Sequence, residues 1–300
     1  PSVAHDSDIE GLKELAQVMK KNGAKAIVQI HHGGAQALPE LTPDGDVVAP
    51  SAISLKSFGQ QKEHDAREMT AEEIEQTIRD FGEATRRAIE AGFDGVEIHG
   101  ANHYLIHQFV SPYYNRRNDV WADNYKFPVA VIDEVVKAKK AHANDDFIIG
   151  YRLSPEEAES PGISMEITEE LIHQIANKPL DYIHVSLMDV NSVTREGKYK
   201  GENRLELIHQ WINGRMPLIG IGSVFTAEDA LNAVENIGVE FVALGREILL
   251  DYDFVAKIKE GREDEIINAF DPNREDQHYL TPNLWEQFNQ GFYPLPRKDK

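Results

Sequence analysis

The 300-residue sequence contains no cysteine. Disulfides, thiolate zinc sites and cysteine-ligated iron–sulfur clusters therefore cannot be built from this chain. Long apolar runs are also missing, and no stretch approaches the roughly 20 residues that a membrane-spanning helix needs. Basic residues are scarce, 31 Lys and Arg against 51 Asp and Glu, which sets the formal charge at −20. Such a field repels phosphate backbones and anionic lipid surfaces, so neither nucleic acid nor a membrane is an expected partner. The opening residues PSVAHDSDIEG show no signal-peptide pattern. The expectation is a cytoplasmic protein acting on a small molecule.

What the chain does have is a substantial core, with 41% hydrophobic residues, patterned in a repeating way. In SDIEGLKELAQVMKKNG the residues Ile9, Leu12, Leu15, Val18 and Met19 share one helical face, and Gly23 stops the helix. The strand-like run AKAIVQIHHGG follows. In TAEEIEQTIRDFGEATRRAIEAG, Thr70 and Glu73 make a capping-box signature. Ile74, Ile78, Phe81 and Ile89 supply the stripe, and Gly92 closes it. The run DGVEIHG comes next, short, β-branched and bounded like a strand inside a parallel sheet. Four further helix-then-strand pairs end in DFIIGYRLS, DYIHVSL, MPLIGIGS and VEFVALGRE, making six in all.

Repeated alternation of this kind implies parallel strands joined by right-handed crossovers, in a closed barrel or an open doubly wound sheet. The barrel is favoured by where the unusual residues fall. Gln29, His31, His32, His99, Asn102, Arg152, Gly222, Ser223, Gly245 and Arg246 all lie at or just past a strand's carboxyl end. A barrel gathers those ends at one mouth, whereas an open sheet concentrates them near one switch point. The fold class expected is thus an α/β (β/α)8 TIM barrel. Two of its eight strands have no counterpart here, and the expectation is that the amino-terminal portion of the barrel is missing. The interval 34–70, with Pro39, Pro43, Gly45 and Pro50, reads as an excursion rather than another βα unit.

Five stretches in order, VQIHHGG, APSAI, AGFDGVEIHGANHYLIHQFVSPYYNRR, YRLS and VALGREILLDYDF, carry a resemblance to a known family. Over about Asp8 to Lys257 the chain resembles the Old Yellow Enzyme family of FMN-dependent ene-reductases, also described as NADH:flavin oxidoreductases. The resemblance implies a (β/α)8 barrel with FMN at its carboxyl mouth and NAD(P)H as electron donor. It implies that His99 and Asn102 donate hydrogen bonds to the carbonyl oxygen of an α,β-unsaturated substrate while hydride from flavin N5 reaches the β-carbon. Tyr104 matches the tyrosine that gives a proton to the α-carbon. Gln29 matches the glutamine that pairs with the flavin pyrimidine, and Arg152 the arginine facing N1 and O2. Gly222, Ser223, Gly245 and Arg246 match the phosphate-binding residues, whose chemistry suits close backbone approach and a forked cation.

Taken singly, a strand-end histidine or tyrosine caps backbone groups, and a strand-end arginine makes an ion pair. Spacing and surrounding motif favour the site reading. Three departures stand against the family pattern: His103 in place of glycine, DVWADN in place of Asp-x-Tyr-Gly-Gly, and the two missing strands. The absence of cysteine excludes, within this chain, the iron–sulfur module of the related dienoyl-CoA reductases. A rival reading is a metal-dependent hydrolase on the same barrel, using His31, His32, His99 and His184; another is a barrel that has lost its chemistry. No metal is expected under the favoured reading. Residues 1–262 are expected to form the FMN-binding barrel domain and 263–300 an extension packed on it, with LTPNLWEQFNQGFYPLPRK also open to a role in homo-oligomer contact.

Overall fold

The periodicity between Ile9 and Met19 yields a helix, α1 (Ile9–Lys20), in the computed structural model, which describes residues 2–58, 62–278 and 280–298. Its apolar stripe is only partly used. Leu12 and Ala16 are buried, while Leu15, Val18 and Met19 are exposed, so the face that packs inward is a narrow i, i+4 strip. The described chain divides into two compact units, Pro1–Ser186 with Val193–Leu218, and Leu187–Ser192 with Ile219–Lys300.

In the first unit β1 (Ile27–Ile30) is followed by the expected excursion, which builds a small sheet of its own. Its strands β2 (Val48–Ala49), β3 (Ile53–Leu55) and β4 (His64–Glu68) run in the order β2-β4-β3. Ala35, Val47, Ala49 and Ala66 form the core of this excursion. The next helix, α2 (Ala71–Glu90), starts as its capping box dictates: Glu73 N donates to Thr70 Oγ1 at 3.2 Å, and Thr70 N to Glu73 Oε2 at 2.8 Å. Then come β5 (Gly95–Gly100), α3 (Leu105–Val110), α4 (Lys126–His142), β6 (Ile148–Leu153), α5 (Met165–Ile175), β7 (Tyr182–Val185) and α6 (Arg204–Ile212). The run Leu105 to Val110, to which no element was assigned from sequence, is helical and entirely buried.

Strands β1, β5, β6 and β7 are parallel neighbours in that order. Side chains alternate across such a sheet. Ile30, Ile98, Ile149, Tyr151, Ile183 and Val185 occupy one set of positions, all at most 1% exposed. The alternate set, Gln29, Glu97, His99, Arg152, Tyr182 and His184, is polar. That face also carries Ile27 and Ile148 at the strands' amino ends, so its polar groups gather toward the carboxyl ends, where they can hold something.

The second unit contains β8 (Leu218–Ile221), α7 (Ala227–Asn232), β9 (Phe241–Ala243), α8 (Arg246–Leu250), α9 (Phe254–Lys259) and α10 (Pro282–Asn289). Strands β8 and β9 pair in parallel, Ile219 against Phe241 and Ile221 against Ala243. Leu250, Phe270 and Phe288 form the core of this unit, with Phe225, Leu284 and Trp285 packed against them. All the expected parallel strands are therefore present, and an eight-strand circuit is not seen among the described residues. No helix among them is long and apolar enough to cross a membrane.

Candidate active site

Strand register sets Gln29, Glu97, Gly150 and Tyr182 in one row across β1, β5, β6 and β7, and His99, Arg152 and His184 in another, two residues further along β5, β6 and β7. Gly150 makes the first row possible. A Cβ at that position would run into the Tyr182 ring, whose hydroxyl donates to Glu97 at 3.0 Å. Glu97 also accepts from Gln29 Nε2 at 2.5 Å and pairs with His184 Nδ1 at 2.9 Å. Burial would raise this carboxyl, but the His184 imidazole and the other donors outweigh it and hold it below its ordinary value. An ionised carboxylate only accepts, so it dictates the orientation of its partners. Gln29 must turn its NH2 toward Glu97 and keep Oε1 uncommitted. His184 must carry a proton on Nδ1, and its buried Nε2 has no partner.

The same reasoning orients Asn102. Arg152 Nη2 donates to Ser186 Oγ at 2.9 Å, and Ser186 Oγ donates to Asn102 Oδ1 at 3.0 Å. Because a guanidinium never accepts, the serine hydrogen has to go to Asn102, which must present its oxygen there. Ser154 Oγ, 3.4 Å from the same oxygen, accepts from the Asn102 backbone N–H at 3.0 Å. Both hydrogens on Asn102 Nδ2 are left to donate elsewhere. His99, 3% exposed, has an unpartnered Nδ1. Burial first, and the Arg152 charge second, lower its pKa to about 3, so the ring is neutral in ordinary buffers and donates through one nitrogen.

The turn between these residues is tight. Asn102 and His103 both take left-handed backbone, φ 57° and 60°, a conformation that costs a non-glycine residue about 1 kcal/mol or more. Gln108 braces it, donating from Nε2 to His103 O at 2.6 Å and accepting from Ala35 N at 3.1 Å. Tyr104 is the N-cap residue of α3. Its ring centroid lies 5.3 Å from that of His99, 5.1 Å from that of His31 and 6.5 Å from that of Phe58. Gln29, His99, Asn102, Tyr104 and Arg152 thus belong to one connected polar patch.

In the second unit the residues singled out from sequence also meet. Gly222 has φ 132°, and a Cβ on it would strike the backbone of Met188 and Asp189. Ser223 Oγ donates to Met188 O at 2.8 Å. Arg246 donates from Nη2 to Met188 O at 3.0 Å and Ser223 Oγ at 3.1 Å, and from Nη1 to Pro294 O at 3.0 Å. Its guanidinium lies over the Phe225 ring. These partners are uncharged, and among the described residues no carboxylate pairs with it. The backbone at Gly245 is open, Ile221 Cδ1 being the nearest atom at 4.0 Å from the place of a Cβ.

These features fit FMN. The buried and unpartnered His99 Nδ1, Arg152 Nε and His184 Nε2 sit on adjacent strands, where unmet polar atoms cost about 1–3 kcal/mol each unless a ligand satisfies them. A cation and an uncommitted amide oxygen suit the flavin pyrimidine; an uncompensated arginine beside crowded glycine backbone suits a phosphate. The hydrolase alternative finds no such support. Among the described residues, the one cluster spaced to hold a metal is His103, His107 and Glu157, which includes none of His31, His32, His99 or His184. Glu97 engages His184, and His32 Nδ1 accepts from Gly34 N at 3.0 Å. Sequence reasoning passed over Glu97, Gly150 and Ser186; of these only Glu97, a charge inside an apolar strand, had a local signal.

Residues 1–265 match the sequence profile of the NADH:flavin oxidoreductase / NADH oxidase family. The probable NADH-dependent flavin oxidoreductase YqiG of Bacillus subtilis (strain 168) is 48% identical over 300 residues, covering 98% of this chain and 79% of that protein. The NADH:fumarate oxidoreductase of Klebsiella pneumoniae (strain 342) is 39% identical over 293 residues, 94% of this chain and 31% of that protein. In fold the chain is similar to the old yellow enzyme homologue from Zymomonas mobilis, with TM-score 0.73 and 21% identity over 95% of this chain and 79% of that one. It belongs to the NADH:flavin oxidoreductase / NADH oxidase family, as an enzyme that uses FMN with NAD(P)H as electron donor.

Proposed function

We propose that this protein reduces activated carbon–carbon double bonds of α,β-unsaturated carbonyl compounds, unsaturated carboxylates such as fumarate among them. The observation that carries the reading is the locked Asn102 amide. Its oxygen is committed to Ser186, its hydrogens are not, and a neutral imidazole follows on the same patch. That is a pair of donors without a competing acceptor, which is what an oxygen gaining negative charge requires.

When bound, FMN would supply hydride-transfer chemistry, with NAD(P)H as the electron donor. His99 and Asn102 then hydrogen-bond the substrate oxygen as charge builds on it. Tyr104 gives its phenolic proton to the α-carbon. Gln29 and Arg152 would hold the flavin ring, while Gly222, Ser223, Gly245 and Arg246 would hold the phosphate. The same reading makes 1–262 an FMN-binding (β/α) barrel domain and 263–300 an extension packed on it, in a cytoplasmic enzyme.

The test is an anaerobic two-step mixing experiment on the yellow protein. NADH or NADPH should bleach the flavin, and 2-cyclohexenone or fumarate should restore its colour. Tyr104→Phe should slow restoration about 10²–10⁴-fold and leave bleaching unchanged. Restoration by dioxygen alone would defeat the reading, and equal slowing of both steps would remove Tyr104 from proton transfer.

A further inference from the structure

We propose that His103, His107 and Glu157 form a binding site for a divalent transition-metal ion of the zinc type, built into the turn that carries Asn102 and Tyr104. It does not depend on the reaction proposed above. His103 Nδ1, His107 Nε2 and a Glu157 oxygen lie within 4.8 Å of one another. Two imidazoles and one carboxylate are a donor set that Zn²⁺ takes with a fourth position open.

The surroundings prepare these groups as ligands. Glu157 Oε1 is held by Ser111 Oγ and by Ile163 N at 2.8 Å, which aims Oε2 at the histidines. A carboxylate whose far oxygen is fixed by hydrogen bonds is the usual support around a metal. The side chains of His107 and Glu157 are wholly buried, whereas that of His103 is 24% exposed, so an ion can reach the group past His103. The left-handed backbone of His103 brings its ring to 4.6 Å from that of His107. Strain of this kind persists where the surroundings over-determine it, often at functional sites.

His107 Nε2 donates its proton to the Glu157 carboxylate, Oε2 lying at 2.7 Å. Zn²⁺ would displace that proton to solvent, and uptake would weaken as pH falls. Tetrahedral bonds of the usual length place neighbouring ligand atoms about 3.3 Å apart. The 3.6 Å between His103 Nδ1 and Glu157 Oε2 is already close to this, and the His107 contact has to open by about half an ångström. The bound ion would clip the turn to Glu157, on β6's side of the unit, and stiffen it.

The experiment uses full-length, FMN-loaded protein stripped with EDTA and dialysed against Zn²⁺ alone. Metal is counted by elemental analysis, FMN by its absorbance, and stability by the thermal midpoint. One ion per chain with a raised midpoint is expected. His103→Gly, suited to the same backbone, should keep its FMN and bind Zn²⁺ about a hundredfold more weakly. His103→Asn, also tolerant of left-handed φ, should behave alike, and Glu157→Gln should lose the ion. No stoichiometric uptake by the parent, or undiminished uptake by His103→Gly, would overturn the proposal; the latter would put the ion on surface carboxylates.

Discussion

Glu97 in the first unit and Glu247 in the second are both buried, 7% and 1% exposed, yet their acidities move in opposite directions. Glu97 is held below its ordinary value because Gln29, Tyr182 and His184 surround it with donors that outweigh the cost of burial. Glu247 has no partner on either oxygen, and burial, helped by the nearby Asp251, pushes it up to about 8. Burial therefore does not decide the state of a carboxyl; the donors around it do. The same contrast runs through the functional residues. In the first unit the Glu97 carboxylate is saturated with donors and Asn102 Oδ1 is committed to Ser186, so the Asn102 amide hydrogens remain for a ligand. In the second, Arg246 spends its hydrogens on neutral oxygens and keeps its charge unmatched.

The harshest way to break this comparison is to remove Glu97. Glu97→Ala would leave a buried imidazole, a phenol and an amide without their acceptor, a loss of about 3–5 kcal/mol in urea unfolding. It should also weaken FMN, because Gln29 is free to turn. A variant as stable as its parent would mean that the carboxylate does not organise the patch.

Next in size is the donor pair. His99→Ala and Asn102→Ala should each slow alkene-dependent reoxidation of the flavin about 10²–10³-fold, with FMN content and NADH-driven bleaching unchanged. Proportionate loss of FMN would show that these donors serve the cofactor instead of the substrate.

Much of this arrangement is legible in sequence where the signal is local. The Thr70 and Glu73 capping box, the parallel strands and the strand-end positions of His99, Asn102 and Tyr104 all follow from neighbours along the chain. Cross-strand events are not legible in that way. Gly150 matters because Tyr182 lies on the next strand, and Ser186 because Arg152 and Asn102 converge on it from other elements. α3 was hidden for a different reason: every residue from Leu105 to Val110 is buried, so no polar face marks its period. The sheet of β2, β3 and β4 was masked by Pro39, Pro43 and Pro50, which punctuate its approach.

Arg246 offers a smaller effect. A charge-assisted hydrogen bond contributes about 1.5–3 kcal/mol, so Arg246→Gln should bind FMN about 10–100-fold more weakly. Riboflavin, which lacks the phosphate, should bind parent and variant alike. Equal losses for both flavins would place Arg246 with the ring instead.

Glu247 gives the sharpest sign. Its folded value of about 8 exceeds the ordinary 4.5. Below 4.5 folded and unfolded chains are both protonated there and the group is neutral in the balance. Between 4.5 and 8 the unfolded chain releases the proton while the folded chain keeps it, so stability falls as pH rises. Glu97, with its depressed value, acts oppositely: its contribution is present above the ordinary range and fades as pH falls. Glu247→Gln removes the first slope alone. Its thermal midpoint should lie close to the parent's near about pH 5 and exceed it near about pH 8. A midpoint that tracks the parent at both values would mean that Glu247 has a donor in solution, and the two carboxyls would then differ in partner identity, not in partner number.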